Sequence, residues 1–258
     1  MPELEARDDL SLVMGMSRGA QAILSGLGCR TVADLATFHP DNAHRRGNLD
    51  AVLLRRLRKA AQARLLGRPI VEPRPRGASL ANAAIVHLLG DPFADRVLAF
   101  GVLHPAVEGG EFRWQRAASA AEEWDALRRL IEPLPQRAPL LHFGEALPRW
   151  YERHAFDREA DPALERRFVD LKKRLRGAAI YPGPVFGLED LVRQGLGRDP
   201  MRAGHAGAAA IWAMQDDGDD RLCEKLRVDL DDLAALKATL LDVAPTEPIE
   251  NAATEAAG

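Results

Sequence analysis

Between Asn82 and Gln115 the hydrophobic pattern stops repeating at helical intervals and breaks into short apolar runs. Ala84 to Leu89 reads AIVHLL, and Gly90-Asp91-Pro92 turns the chain behind it. Arg96 to Leu103 reads RVLAFGVL, and Glu111 to Gln115 alternates as EFRWQ. Runs of this length, bounded by turn formers, predict strands. The third is expected to be the most exposed, and the short turns predict an antiparallel meander. A chain with this block has to build a sheet, so all-helical folds are excluded for the region.

Helical signals follow. Ser119 with Glu122 three residues on has the form of a capping box. The helix it predicts carries Trp124, Leu127 and Ile131 on one face and stops before Pro133. Ala138 to Phe143, APLLHF, predicts a fourth strand. Asp161-Pro162 predicts the start of a helix that Gly177 closes, with proline at the first helical position. Further helices are predicted from Leu188, from Ala206 to Met214, and from Leu222 or beyond to about Leu241.

The N-terminal part has a different character. Asp9 to Ala36 holds two short helical patterns around Gly15 and Ala20–Leu24, and Gly28 and Thr31 mark a third. Thr31 with Asp34 three residues later predicts a capped helix start. The pattern resembles a helix-hairpin-helix, in which a glycine turn offers backbone N–H groups to a phosphate. Here the turn has Gly15, then Ser17 where a second glycine is usual, then Arg18. A longer helix is predicted from Leu49 to Leu66, with Val52, Leu53, Leu57, Ala60, Ala61 and Leu65 as its apolar stripe. Arg55, Arg56 and Lys59 give the same helix a basic side, which is either a solvated face or a surface for DNA or RNA phosphates.

Charge separates the two parts. Through Arg76 there are 13 Lys and Arg against 8 Asp and Glu; from Gly77 onward there are 22 against 30. The net charge of −3 thus hides a basic module and an acidic main domain. Pro69, Pro73 and Pro75 predict an extended connection between them. The expected organisation is a helical module at 1–67, a linker at 68–81, a main domain at 82–244 and a disordered tail at 245–258. Cys29 and Cys223 stand alone and give no disulfide or zinc pattern. No apolar run reaches 18 residues and no basic-then-apolar leader opens the chain, so a cytoplasmic protein without membrane contact is expected.

The ordered motifs of the main domain resemble the C-terminal part of the bacterial RecB-like nucleases, which ends in a YprB-type RNase H-like exonuclease domain. The pieces are Gly90-Asp91-Pro92, Ala99-Phe100-Gly101, His142-Phe143-Gly144, Val169-Asp170-Leu171, Gly187 to Leu191 and Val228 to Leu233. The resemblance covers the chain from about Asp9 to Val243. It implies an α/β fold, an RNase H-like mixed sheet flanked by helices, preceded by a small all-α helix-hairpin-helix-like module. The family's separate RecB-type nuclease domain has no counterpart here.

The resemblance also implies where metal ligands belong. A two-metal nuclease holds its ions about 3.5–4 Å apart, and magnesium wants carboxylate and water oxygens. The family's first-strand Asp falls on His87 and its Glu on Leu89. The acidic position after the fourth strand falls near Leu147, with Glu145 two residues early. The tyrosine of the last helix falls on Val228, and Asp232 alone keeps its identity. Imidazole suits softer metals than magnesium. The leading expectation is therefore a non-catalytic pseudo-nuclease that binds nucleic acid or serves as a scaffold, with no cofactor. Two alternatives stand beside it. One is an active metal-dependent 3′–5′ exonuclease, using Mg or Mn through rearranged carboxylates around Asp232. The other is a protein-interaction subunit without nucleic-acid binding.

Overall fold

The computed structural model describes residues 8–39, 49–72, 80, 82–104, 111–155, 162–200 and 208–241. The expected disordered tail and most of the proline-rich stretch lie outside the described residues. The chain divides into two units, one built from the N-terminal segment up to Gly77 with Gly177–Val185, the other from Ala78–Arg176 with Phe186–Leu241.

In the first unit a 3-10 turn, Leu10–Leu12, leads into helices α1 (Arg18–Gly26), α2 (Val32–Thr37) and α3 (Ala51–Leu66). Each start is capped as short helices require, because four N–H groups at a helix start lack internal partners. Ser17 accepts from the Ala20 N–H, and Asp50 from the Leu53 N–H. Thr31 and Asp34 complete the expected reciprocal box. Leu10, Leu24, Val32, Leu35, Leu54 and Leu57 form the core. The predicted stripe of α3 needs correction: Val52 is 68% and Leu65 53% exposed, while Leu54 and Ala63 are buried. Leu54, Leu57, Ala60, Ala61 and Ala63 form the buried arc, which leaves those two residues on the solvent side. The proline-rich stretch also holds more than a connection. Strand β1 (Ile70–Val71) pairs antiparallel with β7 (Ala179–Ile180).

The second unit carries a five-stranded sheet in the order β4-β3-β2-β5-β6. Its members are β2 (Ala84–Asp91), β3 (Arg96–His104), β4 (Glu111–Arg116), β5 (Leu140–His142) and β6 (Phe168–Asp170). β2 runs antiparallel to β3 and parallel to β5, and β5 runs parallel to β6. The His87 strand thus lies between the Arg96 and Leu140 strands. The fifth strand was not expected. The helix read from Asp161 to Gly177 is three elements: α6 (Pro162–Glu165), β6, and α7 (Leu171–Ala178). Only Phe168-Val169 marks the strand, too short a run to show a period of two among arginines and lysines.

One face of the sheet is covered by α4 (Glu123–Ile131) and α5 (Ala146–Ala155). Trp124, Leu127 and Ile131 pack there with Phe100, Trp150 and Tyr151. α5 escapes the sequence reading because Pro148 sits inside it; proline is tolerated there because it falls in the first turn. Ser119 and Glu122 do interact, at 3.4 Å, but in the turn before α4, and Glu122 makes no side-chain cap for that helix. Buried Glu123 accepts from the Val97 N–H at 2.9 Å and the Trp150 indole N–H at 2.5 Å, and faces His154 at 3.1 Å. It ties β3, α4 and α5 together.

After α7 come α8 (Leu188–Leu191), a π-helical turn (Val192–Leu196), α9 (Ala208–Trp212) and the long α10 (Gly218–Leu241). Leu222 and Leu226 of α10 pack on Leu89 and Ala99, on the sheet face opposite to that of Val86 and Phe100. Gly101 permits this approach: a β-carbon on it would lie 2.9 Å from a Leu230 methyl. Among the described residues no helix is long and apolar enough to cross a membrane.

Candidate functional site

Four charged residues, Lys225, Asp229, Asp232 and Lys237, interrupt the buried side of α10. Lys225, Asp229 and Asp232 are spaced by four and then three, which puts them on one helical face. That face also carries the buried leucines 222, 226, 230 and 233. Along β2, His87 shares its face with Leu89, because side chains alternate in a strand. His87 therefore points toward α10. Its Nε2 lies 3.3 Å from Asp229 Oδ2, and Lys225 Nζ lies 2.5 Å from Asp229 Oδ1. The side chains of His87, Asp229 and Lys225 are 17%, 7% and 9% exposed.

Asp232 has its own cation, the Arg198 guanidinium, which donates to Oδ1. Arg198 follows the π-helical turn, whose Gly195 would put a β-carbon 2.7 Å from a Leu236 methyl. The missing side chain thus lets that turn close on α10 and brings Arg198 to Asp232. Such turns are frequent at functional sites.

The two aspartates titrate in opposite directions. Burial works to raise the Asp229 carboxyl, but the His87 hydrogen bond, its charge and the Lys225 ammonium outweigh it, holding Asp229 below the ordinary carboxylate value. For Asp232 burial wins over Arg198, and the nearby Asp229 adds to it, so this carboxyl is raised.

The other positions marked in the sequence do not join this cluster. Leu89 packs with Leu222 and Leu226, and Leu147 is buried in the core with Trp150. Glu145 is 72% exposed and pairs with Arg149 one turn on. Val228 is half-buried on α10. Asp170, inside the helix predicted from Asp161 to Gly177, instead ends β6 and accepts from the Lys173 N–H at 3.0 Å. His142, buried at the end of β5, holds Nδ1 2.7 Å from the Gly144 carbonyl oxygen, and burial pushes its pKa down. Lys225, Asp229 and Arg198 were missed. For Lys225 and Asp229 the legible signal was polar residues at helical spacing inside a leucine stripe; Arg198 lies outside that helix.

The donor set does not fit a magnesium pair. Asp229 and Asp232 already face protein cations, and His87 supplies imidazole nitrogen where a hard ion wants oxygen. Among the described residues no three His, Cys, Asp or Glu side chains gather closely enough to hold a metal ion. What the arrangement does is bind β2 to α10 through a neutralised polar core.

In the first unit, Gly15 has φ +86°, the left-handed conformation its turn requires. Ser17 is occupied as the α1 cap, and Arg18, Arg55 and Arg56 are exposed. Arg55 donates Nε–H to the Ala51 carbonyl at 3.2 Å, and Lys59 pairs with Glu72 at 2.7 Å. One cation of the basic side is thus partly offset by an acid. Comparison of the chain with family models, with curated proteins and with solved structures finds no match in any of the three.

Proposed function

We propose that the chain is a non-catalytic, nucleic-acid-associated relative of the RNase H-like exonucleases, a pseudo-nuclease domain preceded by a helix-hairpin-helix-like module. The reading is supported by the strand order β4-β3-β2-β5-β6 with a long last helix crossing one face. One observation carries the non-catalytic part. Where the resemblance expects acidic metal ligands on the first strand and the last helix, His87 meets Asp229, with Lys225 on the same carboxylate and Arg198 on Asp232. An ammonium group within hydrogen-bond reach of a carboxylate lowers its affinity for a divalent ion by competing for the same oxygens and repelling the same charge.

The test has two parts. Purified protein is incubated with end-labelled single strands and Mn²⁺; the strands stay intact. Binding is then read by fluorescence anisotropy on fluorescein-labelled dT20 and rU20, where weak, salt-sensitive association is expected. Degradation that Asp229→Ala or Asp232→Ala removes overturns the pseudo-nuclease reading. Absence of binding to any oligonucleotide overturns the nucleic-acid reading.

A further inference from the structure

The acidic main domain contains one densely basic element. Helix α7 reads LKKRLRGA, with Lys172, Lys173, Arg174 and Arg176 and no acid. It follows β6 at the end of the parallel strands, the edge where open α/β sheets bind ligands. Lys173 and Arg176 are exposed and form no ion pair among the described residues. Like charges this close repel one another, a cost that a stretch of phosphates relieves.

A second observation lies beside it. Phe186 is 76% exposed, one of the most exposed large apolar side chains described. Its backbone is held at both polar groups. The Phe186 N–H donates to Asp190 Oδ2 at 2.9 Å, and its carbonyl accepts from Lys172 Nζ at 2.6 Å. Lys172 also lies over the Phe143 ring, 5.5 Å from its centroid. A large ring kept in water on a fixed backbone, anchored by the basic helix itself, has the form of a stacking platform. Aromatic rings beside cations are how single strands are held without sequence preference, since every base has a face to stack.

We infer that α7 and Phe186 form a binding surface for single-stranded nucleic acid, Lys173 and Arg176 meeting phosphates while a base stacks on Phe186. This rests on the nucleic-acid reading given above and names a place for the strand in the second unit, apart from the basic side of α3. Duplexes are disfavoured, because their bases are already stacked on one another.

The experiment is fluorescence anisotropy with dT20, rU20 and a 20-base-pair duplex, on the full chain and on variants whose circular dichroism and melting match the parent. Lys173→Glu with Arg176→Glu is expected to weaken single-strand binding about tenfold or more and to flatten the log–log salt slope by about 1.4, two phosphates at about 0.7 each. Phe186→Ala is expected to weaken it about fivefold or more with the slope unchanged. Lys173→Gln with Arg176→Gln gives the same direction should the charge reversal unfold the chain. Parent protein that binds, with affinity untouched by the α7 and Phe186 variants but lost on Arg55→Glu/Arg56→Glu/Lys59→Glu, overturns the inference and leaves the nucleic-acid reading standing. Equal or tighter binding to the duplex overturns the stacking role. A parent that binds no oligonucleotide overturns both.

Discussion

His87 of β2 and Asp229 of α10 meet at 3.3 Å across the space between sheet and helix, and Lys225 reaches the same carboxylate from one turn earlier. Asp229 is the hub of this contact. Asp229→Ala leaves a buried ammonium with no counter-charge and is expected to cost about 3–5 kcal/mol. Lys225→Met combined with Asp229→Leu removes both charges and recovers most of that loss. Urea unfolding of the three proteins measures the difference.

The opposed shifts of the two aspartates make a second test. Asp229 is lowered in the folded chain, so its share of stability is present above the ordinary carboxylate pKa and disappears as pH falls through the folded value. Asp232 is raised, so its share is present at low pH and is lost as pH rises through the folded value. Asp229→Asn should therefore destabilise at pH 7 and lose that effect in acid. Asp232→Asn should be neutral or stabilising at pH 7, since the half-exposed Arg198 remains hydrated. Melting temperatures between pH 3 and pH 8 show the two signs; equal behaviour of the two variants contradicts the assignment.

Gly101 sets the distance between sheet and helix. Gly101→Ala forces its new methyl against Leu230 and Leu226 and is expected to cost about 1–3 kcal/mol by overpacking. Trimming Leu230 to alanine in the same chain should remove the clash, so the two substitutions together cost less than their sum. A double-mutant cycle in denaturant reads this coupling.

On the other face, Glu123 answers two buried donors, the Val97 N–H and the Trp150 indole. Glu123→Leu leaves both unsatisfied, at about 1–3 kcal/mol each. Glu123→Gln keeps an acceptor and should be milder. Near-ultraviolet circular dichroism, sensitive to Trp124 and Trp150 packed 5.9 Å apart, should change more for leucine than for glutamine.

Much of the architecture was legible because its signals are periodic. Ala84 to Leu89 and Arg96 to Leu103 are long enough for strands to declare themselves, and Thr31 with Asp34 caps α2 as read. β6 was hidden because a three-residue strand carries no period of its own, and its identity comes from pairing with β5. The α3 stripe was misread at its ends: neighbouring apolar residues compete for the same face, and Leu54 is buried while Val52 and Leu65 face solvent. At the candidate site His87 and Asp232 could be marked from the motif order. Lys225 and Asp229 share a helical face, but they join His87 and Arg198 in one cluster only when β2, α10 and the π-helical turn come together.

The pairing of Ile70 with Ile180 has a consequence for biosynthesis. The first unit contains a segment that leaves the ribosome only after the five sheet strands of the second unit have been made. Until then the edge of β1 has no partner strand, and the leucine-rich core of the first unit lacks Ile180. The first unit therefore cannot close its small sheet until the strands of the second unit's sheet have been synthesised. A nascent chain stalled before Gly177 would present an open strand and uncovered apolar surface, the features that chaperones bind and that drive early aggregation.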